Sequence, residues 1–181
     1  MKQAILALAV LVAMGCASVP NIRYYTLDMT PSGKAQPRCN LKVERLRPSD
    51  ALARKDILIK KSPTEIEYYA LDQWAANLGE VVSEKLTSEF GPIVPGRKTL
   101  LITGVIQGFE QADTPDGAAG HIKLDLAFRP EGESRYEPPL LEKVYETSVA
   151  AERASPTAVV RALSRGLERL AGEIADDAGR L

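Results

Sequence analysis

The chain reads as an α+β fold, a mainly antiparallel sheet of about seven strands with two amphipathic helices packed on it. Three observations carry that reading. Strand-like runs with period-two alternation recur along the chain, most of them separated by hairpin-length connections. Two stretches, Leu71 to Phe90 and Val160 to Leu181, instead place apolar residues at spacings of three and four. Behind an N-terminal leader, 166 residues remain, enough for one sizeable core and short of two domains.

The leader is Met1 to Ser18. Lys2 precedes an uncharged run of eleven residues, Ala4 to Met14, too short to cross about 30 Å of hydrocarbon but right for the apolar part of a secretory signal. It ends in Gly15-Cys16, a small residue directly before cysteine as in a bacterial lipobox, with Ala13 and Met14 where leucine and a small residue are usual. The expectation is a signal peptide over 1–15, lipid attachment at Cys16, a lipidated tether over 16–22 and a single domain over 23–181. A plain secreted chain and an uncleaved anchor are the alternatives. Each buried methylene contributes about 0.8 kcal/mol, so two acyl chains suffice for stable attachment. Residues 17–22 reach about 20 Å when extended, which keeps the domain close to its bilayer. Ala17 is not the aspartate that retains such proteins in the inner membrane, and this favours the periplasmic face of the outer membrane.

Arg23 to Asp28 (RYYTLD) is rich in aromatic and β-branched residues and forms the first expected strand, with a turn cluster at Thr30 to Gly33 and a loop to Arg38. Cys39, Leu41 and Val43 alternate with Asn40, Lys42 and Glu44 as the second, closed by Pro48-Ser49. Asp56 to Lys61 and Glu65 to Ala70 flank Ser62-Pro63-Thr64 as a hairpin. Asp72 stands where a helix cap would, and Leu71, Trp74, Leu78, Val82, Leu86 and Phe90 predict about five helical turns ended by Gly91-Pro92. Leu100 to Glu110 is apolar on both faces, the mark of a central strand. After a polar loop over Gln111 to Gly120, Ile122, Leu124, Leu126 and Phe128 alternate with His121, Lys123, Asp125 and Arg129 in a strand with one wet face. A proline-rich loop over 130–139 leads to the last strand, Val144 to Glu152. Ser155-Pro156 then opens a terminal helix whose stripe is Val160, Leu163, Leu167, Leu170, Ile174 and Leu181.

The residue chemistry excludes more than it offers. The formal charge of −1 becomes −2 without Lys2, and no basic block is present to track phosphates, so nucleic acid is not an expected partner. Cys39 is the one thiol besides Cys16; it reads as a small apolar residue at a strand start, with no intramolecular disulfide framework. Gly91 to Thr99 has the glycine spacing of a phosphate loop, yet Arg97 intrudes before Lys98, and the segment leaves a helix and enters a strand rather than the reverse. His121, the sole histidine, falls on the outward face of its strand as a surface imidazole, with no partners at the spacing of a triad or a zinc site. Glu65, Glu67, Glu80, Glu84 and Glu89 read as solvated faces. No catalytic residue, metal or cofactor is expected. Trp74 is read as a core anchor with a partner-binding ring as the alternative, and Tyr69 is a second candidate for partner binding.

A lipobox, then Tyr24-Tyr25-Thr26-Leu27, Ile66-Glu67-Tyr68-Tyr69 running into Gln73-Trp74-Ala75, Gly108-Phe109-Glu110, and a C-terminal amphipathic helix follow one another in this chain. That order resembles the ABC-type transport auxiliary lipoproteins, the PqiC/YmbA-like group. The resemblance implies a non-enzymatic subunit of a lipid-transport system, working with an inner-membrane ABC permease and ATPase and a periplasmic MCE-domain protein. It further implies that the membrane-anchored domain docks the MCE conduit at the outer membrane, and it leaves a homo-oligomer open. An accessory lipoprotein of another outer-membrane assembly machine would share these features, and a periplasmic hydrolase is a third class.

Overall fold

The structure is a computed structural model that describes residues 20–31, 38–134 and 136–181. The expected signal peptide, Cys16 and the tether as far as residue 19 lie outside these residues. Among the described residues, eight strands form one sheet, and two α-helices cover one of its faces. In chain order they are β1 (Arg23–Tyr25), β2 (Asn40–Val43), β3 (Arg47–Pro48), β4 (Asp56–Lys60), β5 (Ile66–Trp74), α1 (Leu78–Phe90), β6 (Thr99–Thr114), β7 (Gly117–Pro130), β8 (Leu141–Ala150) and α2 (Pro156–Ala178).

The sixteen residues of β6 run through the middle, as a strand apolar on both faces should. One edge pairs antiparallel with β7, from Leu100 opposite Pro130 to Thr114 opposite Gly117. The other edge takes β2, β3 and β4 in succession, all parallel, with Leu41 opposite Leu100, Arg47 opposite Val105 and Ile59 opposite Gln111. β5 pairs antiparallel with β4 and carries β1 parallel beyond it, while β8 closes the far side antiparallel to β7. The sheet is therefore mixed, with four of its seven pairings parallel, where a mainly antiparallel sheet was expected. The cause is the connection. β2, β3 and β4 advance in one direction, and β5 with α1 carries the chain back to its start, so that β6 sets off alongside them with Thr99 opposite Asn40.

Two expected boundaries move. The helix read from Asp72 starts at Leu78, capped by Asn77, whose Oδ1 accepts from the Gly79 N–H at 3.0 Å. Residues 71–74 stay extended because β1 pairs with Asp72, Gln73 and Trp74. Asp72 is buried and accepts from the Arg23 guanidinium at 2.8 and 2.9 Å and from the Tyr25 hydroxyl at 2.8 Å. Leu71, Trp74 and Leu78 fit a helical spacing, but the burial of 72 and 74 with 71 exposed follows the period of a strand, and tertiary pairing decides. The expected loop over 111–120 is mostly strand, because β6 and β7 are joined by Pro115-Asp116 alone and Gln111 and Ala112 pair on both sides. α2 begins as expected, with Pro156 in its first turn after Ser155. Its stripe is buried except for Leu181, which lies beyond the helix and is exposed.

Each helix uses one buried serine to satisfy backbone that the sheet leaves unpaired. Ser83 of α1 accepts from the Leu46 N–H at 2.9 Å and donates to the Glu44 carbonyl at 3.1 Å, across the break between β2 and β3. Ser164 of α2 accepts from the Asp28 N–H at 3.0 Å as the chain leaves β1. α2 lies so close to β7 that a Cβ at Gly120 would come within 2.8 Å of the Leu163 nitrogen. Cys39, just before β2, is buried with its Sγ 3.6 Å from the Ala178 carbonyl, and burial pushes its thiol pKa up. Glu89, read as part of a solvated face, is buried as well.

At the end of β5, Trp74 is 1% exposed and meets Phe109 of β6 edge to face at 5.7 Å between centroids. Replacing Trp74 with alanine is expected to lower the unfolding free energy by about 3–5 kcal/mol, read as a fall in the urea midpoint at unchanged m-value.

Candidate functional site

The residues singled out in the sequence do not converge. Cys16 lies outside the described residues. The indole of Trp74 is enclosed in the core, which leaves a partner no face of the ring to bind. Tyr69 is half-buried, its hydroxyl donates to Gln111 Oε1 at 2.6 Å, and burial, followed by the charges of Asp113 and Asp72, pushes its pKa up. The glycine-spaced segment from Gly91 to Lys98 is organised from within, since the buried Asn40 side chain bonds the Val94 N–H and carbonyl at 2.9 Å each.

What the sequence reading missed is a three-strand clamp. His121 of β7 is not a lone surface imidazole; Nδ1 sits 2.7 Å from Glu110 of β6 and Nε2 sits 2.9 Å from Glu146 of β8. Glu110 is buried, its second oxygen accepts from the Phe109 N–H, and Lys123 reaches Glu146 at 3.1 Å. A Cβ at Gly108 would stand 3.0 Å from the imidazole, so this position leaves room for the ring. The hydrogen bond to Glu110 holds the His121 pKa above its usual value, Glu146 adds to this, and burial opposes both. Glu146 is held below the usual carboxylate range by hydrogen bonds from His121 and Lys123. With both ring nitrogens engaged by carboxylates, the imidazole ties the three strands β6, β7 and β8 together. The signal for it was the turn. Reading Pro115-Asp116 as a two-residue turn places Glu110 opposite His121 by register alone.

The open ground lies on the face of the sheet that the helices leave bare. There Leu101, Thr103 and Val105 of β6 and Ala127 of β7 are half-exposed, and together with the ends of β2, β3 and β8 they line a trough of about 650 Å³. The register sets Arg47, Val105, Asp125 and Val144 in one row across the strands, and Thr103, Ala127 and Glu142 in the next. A second, shallower groove of about 460 Å³ runs between Val43 and the Glu80 to Ser88 flank of α1. Among the described residues no group of three or more His, Cys, Asp or Glu could hold a metal ion, and no helix is long and apolar enough to cross a membrane.

The family model for the ABC-type transport auxiliary lipoprotein component matches residues 25–175, from β1 to the last turns of α2. The chain belongs to that family. Membership places it among lipoproteins that serve ABC transport systems as auxiliary components. The fold is shared with solved structures of low identity. One, titled only as an uncharacterized protein, is 18% identical with a TM-score of 0.63, covering 87% of this chain and 98% of its own. Another, protein XCC0632 from Xanthomonas campestris, is 15% identical with a TM-score of 0.67, covering 86% of this chain and 92% of its own. No curated protein matches. In this auxiliary component the Gly108-Phe109-Glu110 motif has three separate tasks: room for His121, an edge for Trp74 and an acceptor for the clamp.

Because the folded-state pKa of His121 is raised, its protonated form stabilises the domain fully below the unfolded value near 6.5, and that stabilisation is lost as pH rises through the folded value. The wild-type unfolding free energy is therefore expected to fall between pH 6 and pH 9, and His121→Gln to flatten that slope, as read from urea melts across the window.

Proposed function

We propose that this auxiliary lipoprotein is a non-enzymatic subunit of an MCE/ABC-type intermembrane lipid-transport system, held at the periplasmic face of the outer membrane by acylated Cys16, where it docks the periplasmic conduit. The observation that carries this reading is the family match over residues 25–175. The geometry supports it. The one histidine is locked between carboxylates, no cluster among the described residues suits a metal, and the hollows beside β6 and α1 are open troughs rather than enclosed pockets. The domain offers surfaces, not a reaction centre. Its strands also give it direction. β1 enters the sheet beside β5, with residues 20–22 leading in from the side on which the β4–β5 hairpin lies, whereas residues 91–98, 131–134 and 136–140 stand at the opposite ends of the long strands.

Cys16→Ala is expected to move the protein from the membrane to the soluble periplasmic fraction, and unchanged fractionation would remove the anchor. Affinity capture of the wild-type chain from solubilised membranes is expected to recover an MCE-domain protein with its permease and ATPase. Recovery of an outer-membrane β-barrel machine in their place would transfer the chain to a different assembly.

A further inference from the structure

β8 ends the sheet with ten residues, and its register with β7 runs from Leu141 to Ala150 without a bulge or a proline. The Ala151 N–H donates to the Ala118 carbonyl at 2.9 Å, which sets the phase of this antiparallel pair. The odd-numbered residues of β8 bond β7, and the even-numbered ones turn their N–H and C=O groups away from it. Glu142, Val144, Glu146 and Ser148 are exposed, and among the described residues nothing bonds their outward backbone groups. A row of this kind is a template for an added strand.

The flank of α2 above this edge is basic. Arg161, Arg165 and Arg169 stand at every fourth position, and all three are exposed. The Arg165 guanidinium donates to the Ala150 carbonyl, itself one of the outward groups, at 3.3 Å, and that of Arg169 donates to Thr147 Oγ1 at 3.4 Å. Both therefore lie against the edge. Among the described residues none of the three has a carboxylate partner, whereas Lys143, further back on the same side of β8, is held by Asp177 at 2.6 Å.

We propose that the outer edge of β8 receives an extended segment of a partner protein as an added strand, with Asp or Glu at alternate positions on the α2 side, where Arg165 and Arg169 meet them. The unpaired ladder selects a strand, and the unanswered guanidiniums select carboxylates, which they bind in a fork of two hydrogen bonds. From Glu142 to Ser148 the edge runs about 20 Å, room for about seven residues. A second copy added with its helices on the same side of the sheet would bring Leu141, Lys143, Tyr145, Thr147 and Val149 of its own β8 to that flank, a lysine and no carboxylate. The inference rests on the proposed function only for the system from which the segment comes.

The test is a photo-crosslinking residue placed at Ser148 of the full-length, membrane-bound chain, with the adduct mapped by mass spectrometry. The expected adduct is a segment of an MCE-domain, permease or ATPase subunit that carries Asp or Glu at every second position. Arg165→Glu combined with Arg169→Glu should lower its yield tenfold or more with the urea midpoint unchanged, and the milder pair Arg165→Gln and Arg169→Gln carries the same test if the reversal lowers that midpoint. Val144→Pro removes an outward N–H that β7 does not use and should lower the yield as far. Adducts only to a second copy, adducts only to lipid, no adduct, a yield indifferent to the arginines, or a folded proline variant with full yield would each overturn the proposal. Capture of the transport system by the wild-type chain without such an adduct sinks the edge alone. An adduct to an alternating acidic segment of an unrelated protein leaves the edge standing and sinks the assigned system.

Discussion

A strand of sixteen residues exposes backbone donors and acceptors along two long edges, and every one that the fold buries must find a partner. β7 answers this along one edge of β6 with a single hairpin, broken only by a bulge between Ile106 and Gly108. On the other edge no one strand suffices, and β2, β3 and β4 share the task in sequence. Much of the remaining architecture follows from the joints between them. The break after Val43 is closed by Ser83, which fixes where α1 must lie, and the loop before β6 is held by Asn40 at the start of β2. The three parallel pairings on that other edge follow from the same requirement together with the return through β5 and α1, since β2, β3 and β4 fill the edge in order and point the same way.

The α+β class with two helices, the central place of β6, the hairpin of β4 with β5 and α2 as far as Ile174 were legible in the sequence because local period and burial agree there, whereas the parallel pairings were not. Where they disagree, the reading failed for identifiable reasons. Asp72 has the chemistry of a helix cap, and its actual role as acceptor for Arg23 and Tyr25 depends on a residue 49 positions earlier in the chain. The stretch from Gln111 to Gly120 looks like a loop by composition, but alanine and glycine are tolerated in a strand that has neighbours on both sides. That error hid the clamp, because His121 and Glu110 meet only when the turn between them is as short as it is. The candidate site was less legible than the fold. Trp74, read first as a core anchor, is packing, while Tyr69, the other partner-binding candidate, is half-buried against Gln111.

Taken together, the family assignment and the geometry describe a domain whose interior is devoted to holding its shape. Its polar side chains are spent on joints between elements: Ser83 and Ser164 at strand breaks, the Arg23–Asp72–Tyr25 group at β1, and the Glu110–His121–Glu146 clamp across three strands. At the far end, Asp177 of α2 meets the Tyr145 hydroxyl at 2.9 Å and Lys143 at 2.6 Å, fastening the last helix to the outermost strand β8. A frame fastened in this way keeps its surfaces in fixed relation, which is what an auxiliary component of a larger transporter requires.

The position of Cys39 has a consequence of its own. Its sulfur is largely covered where the chain enters β2, against the Ala178 carbonyl of α2, which slows attack by a disulfide oxidoreductase while the domain is folded. Covalent pairing of two folded copies through this thiol would first require the end of α2 to move away from the start of β2.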